Sequence, residues 1–309
     1  MKKVFIDGSA GTTGLRIYER LESRGDLTLI RLPEEQRKEP SARREAILSA
    51  DVAFLCLPDD AAREAVALTG DGGTVLIDTS TAHRTDPAWA YGFPELSGAR
   101  ERIAASRRIA NPGCHASGFV ALIAPLVAAG LIAPDTPLTA YSLTGYSGGG
   151  KKMIAEYEGE GRDPLLDAPR AYGLTGKHKH LPEMLAATGL TLAPVFTPIV
   201  APYYAGMEVG IGLHAGMLRG TVADVRACLA AAYPSGLVRY VESADEGGFL
   251  SAAAMSGRDD MLVTVTGNEE RILLVSLFDN LGKGASGAAI QNMNITFGVP
   301  EDTGLVIGE

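Results

Sequence analysis

The chain has 309 residues, enough for two domains with cores of their own. Its 46% apolar and 21% charged residues are those of an ordinary soluble globular protein. A net charge of −9 argues against a general nucleic-acid or anionic-membrane surface, so an anionic ligand needs a locally built positive pocket. Three scattered cysteines make neither a disulfide framework nor a zinc-type cluster. A reducing cytoplasm is the expected compartment, with no metal. Residues 1–6 read as a strand rather than a secretion signal, and no unbroken apolar stretch reaches the ~18 to 20 residues of a membrane helix.

Val4-Phe5-Ile6-Asp7 reads as a short buried strand. Gly8-Ser9-Ala10-Gly11-Thr12-Thr13-Gly14 follows, then a helical pattern from Leu15 to Leu21. A strand, a glycine-rich turn and a helix make the dinucleotide-binding arrangement, in which the backbone approaches a pyrophosphate at a helix start. The spacing is GxxGxxG rather than GxGxxG, so the motif is not specific by itself. Leu27–Leu32 reads as the second strand and ends without the acid that holds a ribose 2′-OH. Arg31, Arg37, Lys38, Arg43 and Arg44 follow, which fits a 2′-phosphate and hence NADP; a solvated charged loop is the plainer reading. Ala53–Pro58 has no polar face, as in a central parallel strand, with Cys56 in the core. A helix over Ala61–Leu68 and a strand over Thr74–Asp78 come next. The strand leads into Thr79-Ser80-Thr81, whose Ser80 hydroxyl faces the ligand crevice. Alternating strands and helices predict a doubly wound α/β sheet.

Asn111-Pro112-Gly113-Cys114-His115 is a sharp turn before an Ala- and Leu-rich helical run, Phe119 to Leu131. Cys114 then stands at a helix start, where free N–H groups and the positive dipole end favour a thiolate nucleophile. A lone cysteine is more often structural, and both readings stay open here. His115 is set aside as a partner, because neighbouring side chains on a helix diverge. Thr139–Gly145 reads as a strand. The Ser147-Gly148-Gly149-Gly150-Lys151-Lys152 run after it makes an anion nest for phosphate or carboxylate, with Ser147, Gly148 and Lys151 as contacts. His178 and His180 offer acid/base groups, with a helix starting behind His180. His83 and His214 read as structural.

Val195–Val200, Met207–His214, Gly236–Val241, Met261–Gly267 and Arg271–Asp279 are strand-like, with a helix over Val222–Tyr233. Few helices separate them, so an α+β, largely antiparallel segment is expected, with a face suited to a second copy. Asn280 to Asn292 is glycine-rich and then helical. It is expected to return to the first domain and place Asn280, Gly282 and Gly284 near the cofactor. The domains are then 1–113 plus 285–309 and, inserted between them, 114–284.

Taken together, the glycine turn at 8–14, Tyr91-Gly92-Phe93-Pro94-Glu95-Leu96, Asn111-Pro112-Gly113-Cys114, Ser147 to Lys152, His178-Lys179-His180-Leu181-Pro182-Glu183 and Asn280 to Gly287 resemble the short form of N-acetyl-gamma-glutamyl-phosphate reductase. The resemblance runs nearly end to end. It implies a doubly wound Rossmann-type domain with an inserted α+β substrate and dimerisation domain. That fold is shared with aspartate-semialdehyde dehydrogenase and the phosphorylating glyceraldehyde dehydrogenases. It further implies NADP(H), a small-molecule acyl-phosphate substrate and a homo-oligomer, dimer or tetramer. The family's nucleophile falls on Cys114 and its histidine within His178-Lys179-His180, with His180 preferred because a helix start behind it holds the ring. The Cys114 N–H and the Asn111 amide are the expected oxyanion donors. The competing readings are an aspartate-semialdehyde dehydrogenase-type reductase and a non-catalytic dinucleotide sensor.

Overall fold

The structure is a computed structural model that describes residues 1–70 and 72–308. The chain divides into two compact units, Met1–Gly113 with Ala285–Leu305, and Cys114–Gly284 with the residues from Val306. Glu309, where the expected first domain ends, lies outside the described residues. The segment from Val306 belongs to the second unit, where the Asp259 N–H donates to the Val306 carbonyl at 2.7 Å and the Val306 N–H to Asp259 Oδ2 at 2.8 Å.

The first unit begins with β1 (Lys2–Asp7), α1 (Thr12–Glu22), β2 (Leu27–Ile30), α2 (Pro40–Leu48) and β3 (Val52–Leu55). It continues with α3 (Asp59–Thr69), β4 (Val75–Asp78), β5 (Ala90–Tyr91), α4 (Ala99–Ala105) and β6 (Arg108–Ala110). The six strands are parallel, in the order β2-β1-β3-β4-β6-β5. Alternate residues of each strand feed two cores. Val4, Ile6, Phe54 and Ile77 pack with Ile17 and Leu21 of α1, whereas Phe5, Ala53, Leu55 and Leu76 pack with Ala46 and Ile47 of α2 and Ala65 of α3. β2 stops two residues before the expected Leu32, since Pro33 and the charged segment after it cannot extend the ladder. The supposed charged loop contains α2, which starts on Pro40 and buries only Arg43, Ala46 and Ile47.

The second unit holds α5 (Cys114–Ala128), β7 (Thr139–Gly145), α6 (Gly150–Glu158), β8 (Arg170–Ala171), α7 (Leu181–Thr188) and β9 (Val195–Ala201). It continues with β10 (Met207–His214), α8 (Val222–Ala232), β11 (Val238–Tyr240), β12 (Met261–Gly267) and β13 (Arg271–Phe278). Its sheet runs β11-β12-β13-β10-β7-β9-β8. The sheet is more mixed than expected: β7 with β9 and β11 with β12 are parallel, and the other neighbours antiparallel. The β7–β9 link is long enough to carry α6 and α7, which permits a parallel return. α5 is buried along most of its length and lies on β10 and β13. Gly118 permits that approach, because a Cβ there would come within 2.5 Å of Val209 Cγ2 and 2.6 Å of Ser276 Oγ. The last helix, α9 (Gly287–Phe297), belongs to the first unit and packs on α1, α4 and β4.

Candidate active site

The β1–α1 turn is forced tight. Gly8 has φ +87°, and a Cβ on it would come within 2.2 Å of the Cys56 carbonyl oxygen. A Cβ on Gly14 would meet the Gly8 carbonyl at 2.4 Å. The Gly11 N–H donates to the Gly8 carbonyl at 2.9 Å, and α1 starts with no side-chain cap. Its first N–H groups thus have no side-chain acceptor from the cap position. Thr12 Oγ1 is buried there without a hydrogen-bond partner. A cleft of about 770 Å³ opens along this turn, lined among others by Ala10, Arg31, Arg37 and Lys38. Uncapped helix N–H groups, an orphan hydroxyl and a cationic wall fit the diphosphate and 2′-phosphate of NADP. Arg31 lies 4.8 Å over the Tyr18 ring and pairs with Glu22 at 3.1 Å.

Arg43 has another task. It is buried, with Nε donating to Asp7 Oδ2 at 3.0 Å and Nη1 to Glu64 Oε2 at 3.2 Å. Burial raises the Asp7 carboxyl above the usual carboxylate range, with Arg43 opposing. The pair keeps net negative charge off the floor of a cleft shaped for an anion. Ser80, expected to face the cofactor, is committed elsewhere: its hydroxyl donates to Asp78 Oδ2 at 2.8 Å and accepts from the Ala82 N–H at 3.1 Å. His83 Nδ1 meets the same carboxylate at 2.6 Å, and its ring stacks on Trp89 at 4.1 Å. Cys56 is a core thiol, pushed up to about 12 by burial.

Asn111 is buried with both ends of its amide used. Its Nδ2 donates to the Ala285 carbonyl at 3.0 Å, and its Oδ1 accepts from Asn292 Nδ2 at 3.2 Å. Asn111, the expected oxyanion donor, thus braces the turn through both ends of its amide.

In the second unit, Cys114 is the first residue of α5 and partly accessible. The N-terminus of α5 supplies the positive dipole end that stabilises a thiolate. Segment 279–284 joins this cysteine to the anion nest. Gly284 packs so closely that a Cβ on it would come within 2.9 Å of Cys114 Cβ. Asn280 Nδ2 donates to Ser147 Oγ at 3.0 Å, and its Oδ1 accepts from the Gly206 N–H at 2.9 Å. A Cβ on Gly282 would overlap the Arg258 carbonyl oxygen. Asn280, Gly282 and Gly284, expected near the cofactor, pack against Ser147, Arg258 and Cys114 respectively. Ser147 is buried, while Gly148 and Lys151 are exposed at the start of α6.

Three of the five imidazoles, His115, His178 and His180, form one cluster. His115, set aside in the sequence, lies at its centre: its ring is 5.3 Å from His178, 5.5 Å from His180 and 5.5 Å from Phe196, between centroids. Its Nδ1 is 2.8 Å from Ser142 Oγ and its Nε2 2.6 Å from Tyr172 Oη. Divergence along the helix was the wrong test, because at the first turn the surrounding strands come to the ring. Ser142 and Tyr172 carried no sequence signal; β7 and β8 bring them there. His178 Nδ1 accepts the His180 N–H at 3.2 Å. Burial, then the Lys179 charge, push His178 down to about 4. His180 is buried and seated at the N-cap of α7.

Comparison with known proteins gives the following. Residues 3–106 match the family described as "Semialdehyde dehydrogenase, NAD binding domain", and residues 114–280 the "Semialdehyde dehydrogenase, dimerisation domain". The chain is 45% identical over 307 residues to "N-acetyl-gamma-glutamyl-phosphate reductase 2" of Pseudomonas putida, covering 96% of each. It is 46% identical over 306 residues to "N-acetyl-gamma-glutamyl-phosphate reductase" of Brucella ovis, covering 96% of this chain and 99% of the other. Among solved structures, aspartate semialdehyde dehydrogenase II of Vibrio cholerae, complexed with ASA, superposes with TM-score 0.72 at 17% identity, covering 96% and 98%. Aspartate semialdehyde dehydrogenase with NADP from Candida albicans gives 0.66 at 15%, covering 96% and 99%.

Proposed function

The chain belongs to the semialdehyde dehydrogenase family, among the N-acetyl-gamma-glutamyl-phosphate reductases, and from that premise we propose how its own residues carry the reaction. It is an NADP-dependent, phosphorylating oxidoreductase of arginine biosynthesis, converting N-acetyl-L-glutamyl 5-phosphate to N-acetyl-L-glutamate 5-semialdehyde and phosphate. The observation that carries the assignment of chemistry is Cys114, partly open at the start of α5 with a histidine cluster against the next residue.

Cys114 thiolate attacks the acyl carbon. A C–S bond forms, the bond to the phosphate oxygen breaks, and phosphate leaves. The α5 N–H groups hold the oxyanion during addition and expulsion. Bound NADPH supplies the hydride that the thioester carbonyl requires. His180 protonates the resulting alkoxide and takes the proton back as the C–S bond breaks, which frees the aldehyde and restores the thiolate. Ser147, Gly148 and Lys151 receive the anionic groups of the substrate. Gly8 to Gly14, Arg31, Arg37 and Lys38 hold the dinucleotide, so the first unit is the NADP-binding domain and the second the catalytic one. The dimerisation-domain match supports a homo-oligomer, dimer or tetramer, and three cysteines outside any disulfide support a reducing cytoplasm. Among the described residues no helix is long and apolar enough to cross a membrane.

Likeness to aspartate semialdehyde dehydrogenases at 15–17% identity carries the fold alone. The test is reverse-direction turnover of both semialdehydes with phosphate and NADP, in wild type and Cys114→Ser. The acetylated substrate should turn over, and the variant should lose about 10³-fold or more in kcat. A Cys114→Ser protein near the wild-type rate would falsify the covalent step.

A further inference from the structure

His115 has a more defined environment than a packing residue needs. It is 3% exposed, yet both ring nitrogens are engaged, by Ser142 on β7 and by the Tyr172 phenol just after β8. Burial first, then the charges of His178 and Lys179, push it down to about 3, so the ring is neutral, with one donor and one acceptor nitrogen. Tyr172 is fixed from its backbone, its N–H donating to the Pro198 carbonyl at 3.0 Å, and from its ring, 5.8 Å from His178. Tyr172 as a whole is 37% exposed. Its hydroxyl, 2.6 Å from His115 Nε2, thus sits against the residue that follows Cys114 at the start of α5, and burial, then the charge of a Cys114 thiolate, raise its pKa.

Two proton arrangements satisfy the ring. In one, Tyr172 donates to Nε2 and Nδ1–H donates to Ser142. The phenol proton is then spent, and oxygen lone pairs face the anion at Cys114. In the other, the Ser142 hydroxyl donates to Nδ1, Nε2–H donates to Tyr172 Oη, and the phenol proton is left for the anion. Only the second runs head to tail toward negative charge. We propose that His115 is a positioning residue that, set by Ser142, holds the Tyr172 hydroxyl as a hydrogen-bond donor to the negative charge formed at Cys114 and its acyl oxygen. This rests on the reading of Cys114 as nucleophile.

The test compares His115→Leu, Tyr172→Phe, the double variant and His115→Gln, whose amide can still donate to the phenol. Removing a donor aimed at developing charge costs about 10- to 100-fold in kcat, and here KM should change far less. Both single variants and the double should lose the same factor, and His115→Gln should recover most of it. Without any substrate, the pH midpoint for alkylation of Cys114 by iodoacetamide should rise by about one pH unit in Tyr172→Phe and His115→Leu alike. Nitrogen-15 NMR of the wild type should place the His115 proton on Nε2. Losses that multiply in the double variant, unchanged kcat in His115→Leu, or a proton on Nδ1 would each overturn the proposal. If His115→Leu does not fold, Tyr172→Phe against His115→Gln and the wild-type spectrum decide it. Alkylation and NMR need no substrate, so they separate failure here from failure of the assigned reaction.

Discussion

A histidine kept neutral by burial carries a definite acid liability. His115 has its pKa pushed down to about 3 in the folded chain, against an ordinary value of 6.5. The unfolded chain therefore binds a proton that the folded chain refuses, and stability falls as pH drops from about 6.5 toward 3. At pH 5 this one residue should cost about 2 kcal/mol. His178, pushed down to about 4, acts in the same direction with a smaller effect, because its ring is only half buried. Urea unfolding across that range should show the slope, and His115→Gln should flatten it. The same stretch shows what residue-level reading can reach. Cys114 is legible because a Pro-Gly turn before an Ala- and Leu-rich run is local chemistry. His115, Ser142 and Tyr172 are not, because their meeting depends on β7 and β8 converging on the start of α5.

At the scale of elements, two contacts are open to test. α5 can lie flat on β10 and β13 only while residue 118 has no side chain. Gly118→Val should destabilise the protein by about 3 kcal/mol, at the upper end of what overpacking usually costs, because Val209 and Ser276 sit on a rigid sheet. Calorimetry would read it as a drop in Tm of several degrees. At the other site, the end of β2 bears cations and lacks a strand-end acid. Arg31→Ala with Arg37→Ala should raise KM for NADPH about tenfold or more and leave KM for NADH nearly unchanged. An equal rise for both cofactors would remove these arginines from the 2′-phosphate site. Element type was readable where an apolar run stood between clear turn signals, as in β1 and β3. It failed for α2, whose buried face is too thin to show against its charged residues.

At the scale of the whole chain, alternation of strand and helix was enough to expect a parallel sheet in the first unit, and the run of strands after Val195 a second sheet. What stayed hidden was long-range pairing. Arg43 looks like a free phosphate ligand until Asp7, 36 positions away, is found beside it. β7 and β9 pair in parallel although the strands around them suggest hairpins. Neither fact has a local cause, so neither leaves a local trace.

The first and last residues of the inserted segment, Cys114 and Gly284, touch each other. To the host chain, an insert whose ends nearly meet costs no more loop-closure entropy than a short surface turn. Cys114 also lies on the seam of that splice, so any transplant that took the cysteine and left Gly284 behind would arrive with that side chain crowded out of place.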